Sequence, residues 1–145
     1  MSVSVDIVRS ASEEVVRELN ALLPQLSSSA APLNLDTLTE MLASNAITLF
    51  VARDDERLVG TLTLAVFPIP TGLRAWIEDV VVSQDSRGRG VGAALTNAAV
   101  ALATERGVRS IDLTSRPSRQ AANALYVKLG FELRQTNVYR YLIQE

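Results

Sequence analysis

The spacing of hydrophobic residues in the first third of the chain predicts one strand followed by two helices. Apolar and polar residues alternate from Val3 to Val8, which is the period of a strand with one buried face. Ser10-Ala11-Ser12-Glu13 has the spacing of a capping box, and the helix after it places its apolar residues on one face: Val16, Leu19, Leu22 and Leu23. Pro24 and a run of serines end this helix, and a second helix is predicted from Leu35 to Ala43.

The middle of the chain predicts three strands and a long helix. Ala46 to Ala52 and Leu58 to Phe67 are typical of two strands joined as a hairpin. The segment Pro68 to Gly72 contains two prolines, so we expect it not to continue a regular strand. A third strand is predicted from Ala75 to Ser83, and the long helix that follows has Gly107 as its C-cap.

The last third of the chain predicts a short strand, a helix and two closing strands. The short strand covers Ile111 to Thr114. Ser118 is positioned to cap a helix that extends through Leu129, where a glycine stops it. Phe131 to Arg134 and Asn137 to Leu142 then predict the final two strands.

The predicted order of elements is β-α-α-β-β-β-α-β-α-β-β, without an internal repeat or a linker. This order indicates the α/β class with a mixed sheet and helices packed on it, because strands and helices do not alternate strictly. A chain of 145 residues buries about 68–70% of its unfolded surface. We therefore expect residues 1–145 to form a single domain.

Composition excludes several classes of function. The net charge is −2 and no basic tract occurs, which argues against nucleic-acid binding. The apolar runs are shorter than the roughly 20 residues that cross a bilayer, and the N-terminus does not resemble a signal peptide, so we expect a soluble, cytoplasmic protein. The chain contains no Cys and no His, which excludes a thiolate nucleophile, a Ser-His-Asp triad and the usual zinc sites. We expect no metal.

The strongest chemical signal lies between the third central strand and the long helix: Arg87-Gly88-Arg89-Gly90-Val91-Gly92-Ala93. A glycine-rich turn from a strand into a helix exposes backbone N–H groups that have no acceptor inside the helix. Together with the positive end of the helix dipole, these groups form an anion site. Glycine also permits positive φ and close approach to a ligand. The turn therefore predicts a pyrophosphate-bearing ligand.

Other interpretations of the same glycines explain less of the chain. A P-loop is excluded because no Lys follows them. Gly88, Gly90 and Ala93 satisfy a dinucleotide fingerprint, and Asp112 lies near the position of the ribose-binding acid. A dinucleotide-binding unit normally begins its domain, however, whereas this turn follows an apparent antiparallel hairpin. A tight glycine turn that binds no ligand also stays open.

Three motifs in order resemble one known family. The glycine turn resembles the R-x-x-G-x-G/A pyrophosphate signature of the GNAT family of N-acetyltransferases. The segment Trp76 to Val82 resembles the central strand of that family. Ala121 to Glu132 resembles its C-terminal helix-to-strand motif, which usually ends Tyr-x-x-x-Gly-Phe. The resemblance extends along nearly the whole chain and implies the GNAT acyltransferase fold.

By this resemblance the ligand is acetyl-CoA, the acyl donor. The diphosphate would lie on the residues of the turn: Arg87, Gly88, Arg89, Gly90, Val91, Gly92 and Ala93. The pantetheine arm would pair with the backbone of Val80, Val81 and Val82, a contact that depends on extended backbone more than on side chains. Many relatives carry a cofactor-contacting Asn seven residues before the Tyr. Here Arg119 occupies that position and Asn123 lies one helical turn later, so both are candidate CoA contacts.

Transfer to an amine requires acid–base chemistry. An alkylamine has a pKa near about 10, so a base has to remove its proton. Glu78 is the first candidate, acting through water, because desolvation in an apolar strand would raise the pKa of its carboxyl. Asp79 is the alternative, and strand alternation predicts that only one of the two faces the cleft. Tyr126 is the candidate acid for the CoA thiolate. Structural roles for Glu78 and Tyr126 stay open.

The resemblance implies an N-acetyltransferase that acts on a primary amine, and we expect a small-molecule acceptor rather than a nucleic acid or a membrane. Candidate acceptor-binding segments are Leu23 to Asn34, Pro68 to Arg74 and Asn137 to Tyr141, none of which specifies a substrate. The exposed edges permit a homodimer. The alternative function is a CoA-binding sensor module without turnover.

Overall fold

The computed structural model describes residues 3–143, so the first two and last two residues of the predicted domain lie outside the described part. The chain divides into two compact units, with the boundary between Thr114 and Ser115. The single domain over residues 1–145 therefore stays a prediction. Among residues 3–143, no helix is both long enough and apolar enough to span a bilayer.

The N-terminal unit is built on a five-stranded mixed sheet whose strands lie side by side in chain order. The strands are β1 (Val3–Ile7), β2 (Ile47–Asp54), β3 (Arg57–Ile69), β4 (Gly72–Val82) and β5 (Ser110–Asp112). Neighbours from β1 to β4 are antiparallel, and β5 pairs with β4 in parallel. The predicted mixed sheet is confirmed, with β3 and β4 longer than expected.

Three helices belong to this unit: α1 (Glu13–Leu22), α2 (Leu35–Ala43) and α3 (Val91–Glu105). The cap of α1 is Ser12, whose hydroxyl accepts the Val15 N–H at 3.2 Å, and not Ser10 as the capping-box spacing suggested. Asn34 caps α2 by accepting the Thr37 N–H at 2.8 Å. A side-chain acceptor at this position satisfies one of the N–H groups that a helix start leaves unpaired.

Each face of the sheet is covered by helices. Gly60 and Thr61 are adjacent in β3 and therefore lie on opposite faces. The Thr61 face forms a core with α1 and α2: Val16, Leu19, Leu22, Leu38, Leu49, Val51, Leu58 and Val81. The Gly60 face receives α3, because a Cβ on Gly60 would lie 2.9 Å from Cγ1 of Val91 and 3.0 Å from Cδ1 of Leu95. The start of α3 is thus held close against β3.

The hairpin between β3 and β4 differs from the prediction. β3 continues through Pro68, which pairs with Leu73, and ends at Ile69 opposite Gly72. The expectation that Pro68 cannot continue the strand is therefore wrong. Pro68 lies near the end of the strand, where the loss of one N–H donor interrupts few hydrogen bonds of the ladder.

The C-terminal unit contains α4 (Gln120–Lys128). Its N-cap is Arg119, which makes no side-chain capping bond, so the predicted cap at Ser118 is wrong. Gly130 has a φ of 105° and ends the helix as predicted, and the Phe131 N–H donates to the Tyr126 carbonyl at 2.9 Å. A positive φ at this position is typical of a glycine helix stop.

The two strands predicted at Phe131 to Arg134 and Asn137 to Leu142 are not formed. Residues 131–143 contain neither helix nor strand in the structure. Their alternating sequence favours an extended chain, but a strand exists only when a neighbouring strand accepts and donates its backbone hydrogen bonds. No such neighbour pairs with these residues within the part of the chain that is described.

Candidate active site

β4 and β5 separate part-way along their length. Their pairing covers Arg74 with Ser110, Ala75 with Ile111 and Trp76 with Asp112, and then it stops. The guanidinium of Arg74 in β4 and the carboxylate of Asp112 in β5 form an ion pair at 2.5 Å, which joins the two strands where they pair. From Ile77 onward, the β5 side of β4 has no strand partner within residues 3–143. This edge offers extended backbone to a ligand.

A β-bulge lies where the two strands separate. Thr63 pairs with Glu78 and Thr61 pairs with Val81, so two residues of β4 stand opposite the single residue Leu62. One of the two is Asp79, which has a φ of 50°, a left-handed conformation that Asp tolerates better than most residues. A bulge bends its strand and redirects side chains.

The bulge changes the expectation for the two acidic residues. Strict alternation would expose only one of Glu78 and Asp79, but both side chains are exposed. Because the extra residue breaks the two-residue period, exposure does not distinguish the two residues, and which of them faces the cleft stays a prediction. The side chain of Glu78 is exposed and not buried in the apolar strand as expected. Glu78 pairs with Thr63, which places it on the sheet face that carries α1 and α2.

The three valines that end β4 have mainly structural side chains. Val81 is 4% exposed and belongs to the core beneath α1 and α2, whereas Val80 and Val82 are half-buried. Their side chains anchor the strand, and their backbone is the part that a ligand could pair with. This agrees with the expectation that the contact needs extended backbone rather than particular side chains.

A short 3-10 turn, Gln84–Ser86, connects β4 to the glycine turn and is tied to neighbouring elements. The Asp85 carboxylate accepts the Ser83 hydroxyl at 2.6 Å and a guanidinium N–H of Arg57 at 2.7 Å. These two hydrogen bonds hold the pKa of Asp85 below its usual range, and the bond from the Ser83 hydroxyl has the larger effect. The Gln84 N–H donates to the side-chain carbonyl of Gln25 at 3.1 Å. The approach to the turn is thus fixed from two directions.

The glycine turn has the geometry that its sequence predicts. Gly88 and Gly90 have φ values of 79° and 81°, and Gly90 is the N-cap of α3. The first intrahelical bond runs from the Ala94 N–H to the Gly90 carbonyl at 2.9 Å. The N–H groups of the preceding first turn therefore have no acceptor in the helix, and in the described chain no side chain caps it. A Cβ built on either glycine would meet nothing within 4 Å.

The two arginines of the turn make different contacts. The Arg87 Nε lies 3.4 Å from the Val82 carbonyl, so this side chain folds back towards the end of β4. A guanidinium nitrogen of Arg89 lies 3.8 Å from the Asp54 carboxylate, at the β2–β3 hairpin. Both of these contacts are long.

The remaining predicted residues belong to the C-terminal unit. The Asn123 amide donates to the Arg116 carbonyl at 3.0 Å, and the Arg119 N–H donates to the same carbonyl at 3.0 Å. Tyr126 is 8% exposed and packs edge-on against Phe131, with ring centroids 5.7 Å apart. Burial raises the pKa of the Tyr126 phenol, and the charge of Arg119 opposes this shift more weakly. The raised pKa favours the protonated phenol.

Several positioning residues were not identified from the sequence alone. Gly60 admits α3 to the sheet, Gln25 contacts the entry to the glycine turn, and Asp54 pairs with Arg89. Gly60 had a recognisable signal, because an isolated glycine in a strand often marks a close approach of another element. Gln25 and Asp54 had none, since their contacts join residues far apart in the chain.

The predicted acceptor segments of the N-terminal unit are now located. In the loop between α1 and α2, Asn20 makes two bonds with the backbone of Leu33, at 2.8 and 2.9 Å. The β3–β4 hairpin borders an open groove of about 580 Å³ lined by Phe67, Pro68 and Leu73 of the hairpin and by Arg106. This groove lies at the end of β4 opposite to the glycine turn, and its residue Leu73 is roughly 16 Å from Glu78 along the strand at about 3.3 Å per residue.

Comparison with known proteins decides the family. A sequence model described as the acetyltransferase (GNAT) family matches residues 14–131. The chain belongs to this family. The antiparallel pairing of β3 with β4 and the ion pair of Asp112 with Arg74 agree with it, because a dinucleotide-binding fold would need parallel strands and a free acid.

Individual GNAT relatives differ in what they are named for. N-alpha-acetyltransferase 30 of Schizosaccharomyces pombe is 32% identical over 95 residues, which is 65% of this chain and 63% of that protein. L-2,4-diaminobutyric acid acetyltransferase of Shouchella clausii is 33% identical over 83 residues, which is 57% of this chain and 46% of that protein. The chain thus spans about half to two thirds of the length of these curated relatives.

A solved structure confirms the fold. An aminoglycoside acetyltransferase from an uncultured soil metagenomic sample superposes with a TM-score of 0.87 at 19% identity, covering 99% of this chain and 97% of that one. At this identity the likeness shows the GNAT fold alone. Together with the family match and the relatives named as acetyltransferases, it confirms the predicted family and fold class.

Proposed function

We propose that this chain is an N-acetyltransferase that moves an acetyl group from acetyl-CoA to a primary amine of a small molecule. One observation carries the proposal: within residues 3–143 the β5 side of β4 has no strand partner beyond Trp76, and the strand continues through a short 3-10 turn into a glycine turn at the start of a helix. A free strand edge followed by unpaired N–H groups suits a ligand that joins an amide-containing arm to a diphosphate.

The residues of the turn fit a bound diphosphate. The space beside Gly88 and Gly90 is open, so phosphate oxygens could approach the backbone donors of the first turn of α3. Arg87 and Arg89 lie within the same turn and would add charge-assisted hydrogen bonds. The backbone of residues 80–82 would pair with the pantetheine arm. When bound, acetyl-CoA supplies an acetyl group activated as a thioester.

We assign the base to Glu78, acting through water. Its exposed carboxylate sits beside the bulge, where the β4 edge becomes free. Its proposed role is to orient a water through which the proton of the amine passes to the carboxylate. Asp79 is the competing residue, and its left-handed backbone at the bulge directs its side chain differently.

We assign the acid to Tyr126. Because burial raises the pKa of this phenol, the hydroxyl remains a donor at neutral pH, which a group that protonates a thiolate needs. Asn123 and Arg119 are proposed contacts to CoA. The Asn123 amide nitrogen already donates to Arg116, so its side-chain oxygen is the atom that remains to accept a hydrogen bond from the ligand.

The proposed acceptor is a small-molecule amine. A relative named for L-2,4-diaminobutyric acid supports a small amine, whereas a relative named as an N-alpha-acetyltransferase supports a peptide N-terminus as the competing class. The net charge of −2 indicates no strong selection for a polyanionic or polycationic acceptor. A cytoplasmic location stays a prediction.

The test is release of free CoA thiol from acetyl-CoA in the presence of three acceptor panels: amino acids and diamines, aminoglycosides, and peptides with free N-termini. Turnover with a member of the first two panels, at rates at least tenfold above any peptide, supports the proposal. Preference for peptides overturns the small-molecule assignment. Stabilisation of the protein by acetyl-CoA without thiol release in any panel indicates a CoA-binding module instead.

A further inference from the structure

Four residues join the two parts of the proposed donor site. β4, whose edge is proposed to pair with the pantetheine, ends at Val82, and the glycine turn begins at Arg87. We define the connector as residues 83–86, which comprise Ser83 and the 3-10 turn. A ligand that occupies both parts has to match the distance between them, and linked binding is lost when the geometry prevents simultaneous contact. The conformation of the connector therefore decides whether one molecule can engage both parts.

A single carboxylate makes hydrogen bonds along the connector. Oδ1 of Asp85 accepts the Ser83 hydroxyl at 2.6 Å and the Ser86 hydroxyl at 3.4 Å. Oδ2 accepts a guanidinium N–H of Arg57 at 2.7 Å. Both serines are buried, and a buried hydroxyl that loses its partner is left with the full cost of its desolvation. Asp85 thus ties the residue after β4 to the residue before the glycine turn.

β3 supports the connector and both parts of the proposed site. The Ser83 N–H donates to the Val59 carbonyl of β3 at 2.8 Å, and Arg57 is the first residue of β3. β4 pairs with the same strand, and α3 packs against it at Gly60. The bonds from Ser83 and Arg57 therefore fix Asp85 relative to the strand on which the two parts of the site are built.

Charge does not explain an acid at this position. A carboxylate two residues before Arg87 repels a diphosphate that binds at the turn. The ion pair with Arg57 contributes little to stability, because the two side chains are 61% and 60% exposed. The two serine hydrogen bonds remain as the contribution of Asp85, and both of them constrain the geometry of the connector.

We propose that Asp85 is a positioning residue for the acyl donor. Through the hydroxyls of Ser83 and Ser86 it holds the β4 edge and the glycine turn at the spacing that lets acetyl-CoA contact both at once. Arg57 offsets the negative charge of Asp85 beside the turn. This inference rests on the proposed function, since it takes acetyl-CoA as the ligand that joins the two parts.

The first experiment compares the whole donor with its two halves. Kd is measured by calorimetry, directly or by competition, for acetyl-CoA, ADP and S-acetylpantetheine, with wild type and with Asp85→Ala. We expect the Kd of acetyl-CoA to rise about tenfold and each fragment to change less than about twofold, because only a linked ligand depends on the spacing of the two parts. A fragment that weakens as much as acetyl-CoA overturns the proposal, because Asp85 then acts on one part alone. Unchanged or tighter binding of acetyl-CoA also overturns it.

Two further variants separate hydrogen bonding from charge. Asp85→Asn keeps one side-chain oxygen that can accept the serine hydroxyls, so it should bind acetyl-CoA within about threefold of wild type. Ser83→Ala should weaken acetyl-CoA without weakening ADP. The matched control is Glu56→Ala, which removes an exposed acid beside Arg57 outside the connector and should leave all three Kd values unchanged. If Asp85→Asn or Glu56→Ala is as weak as Asp85→Ala, the role given to the hydroxyl bonds is wrong.

Failure of this inference differs from failure of the proposed function. A wild type that binds acetyl-CoA while Asp85→Ala and Ser83→Ala bind it equally well refutes only the positioning role. A wild type that does not bind acetyl-CoA refutes the proposed function and the positioning role together. The Tm of each variant without ligand is recorded, and Asp85→Asn and Ser83→Ala provide the test if Asp85→Ala does not fold.

Discussion

A pair of glycine substitutions separates ligand binding at the glycine turn from backbone strain. Gly90 begins α3 with a φ of 81°, and Gly107 follows its other end with a φ of 77°. An added Cβ would meet nothing within 4 Å at either position. Gly90→Ala and Gly107→Ala therefore impose nearly the same strain, but only the first changes the surface proposed to bind the diphosphate.

The two expected effects differ in size. An L-residue in the left-handed conformation costs about 1–2 kcal/mol, so each variant should lose roughly 3–6 °C in Tm for a chain of this length. In Gly90→Ala the new methyl group also occupies the space through which phosphate oxygens are proposed to reach the backbone. Loss of one charge-assisted hydrogen bond of about 1.5–3 kcal/mol weakens binding by roughly 10- to 100-fold.

The assay is isothermal titration of acetyl-CoA into wild type, Gly90→Ala and Gly107→Ala, with Tm measured for each protein without ligand. We expect equal losses of Tm and a rise in the acetyl-CoA Kd for Gly90→Ala alone. If both variants bind acetyl-CoA like the wild type, or if both weaken to the same degree, the turn is not the donor site and the reasoning from its geometry is refuted.

Four further predictions concern single residues. Gly60→Ala places a Cβ 2.9 Å from Val91, so overpacking should cost about 1–3 kcal/mol of stability by urea unfolding; an unchanged midpoint would show that α3 is not held at this glycine. Glu78→Gln should lower kcat by about 10²–10⁴-fold with acetyl-CoA Kd unchanged, while the matched Asp79→Asn retains kcat; the reverse pattern would make Asp79 the base, and weakened cofactor binding would give Glu78 a structural role. Tyr126→Phe should lower kcat by a similar factor at neutral pH, and an unchanged kcat removes the acid assignment. Because burial raises the pKa of Tyr126 in the folded state, the unfolded chain ionises first above about pH 10 and stability falls there; Tyr126→Phe should show a smaller loss of Tm between pH 10 and 11, and parallel curves would contradict this.

Local signals predicted the N-terminal helices and the glycine turn well. α2 has the bounds that its hydrophobic spacing predicts, Leu35 to Ala43, because helix periodicity and a capping Asn34 act over a few residues. The positive φ values of Gly88 and Gly90 were likewise expected, since glycine is the residue that adopts them at no steric cost. These features depend on neighbours in the chain and can be predicted from the sequence.

Features that depend on distant pairing could not be predicted in this way. The bulge at Asp79 arises from the register between β3 and β4, and no residue type in the sequence indicates it. The end of the β4–β5 ladder at Trp76 is likewise a property of two strands separated by a helix. For residues 131–143 the alternating pattern indicated strand propensity correctly, yet propensity does not supply a partner. The same pattern is therefore compatible with a paired strand or with an unpaired segment, depending on whether a neighbouring strand is present.

The loop between α1 and α2 has an evolutionary consequence. It is held at its two ends, by Gln25 against the Gln84 N–H and by Asn20 against Leu33, while every residue from Leu26 to Pro32 is exposed. Substitutions at such positions usually change stability by less than about 0.5 kcal/mol. This stretch can therefore accumulate mutations almost neutrally with respect to folding. If it contacts the acceptor, selection could change the substrate there without changing the turn that is proposed to bind the donor.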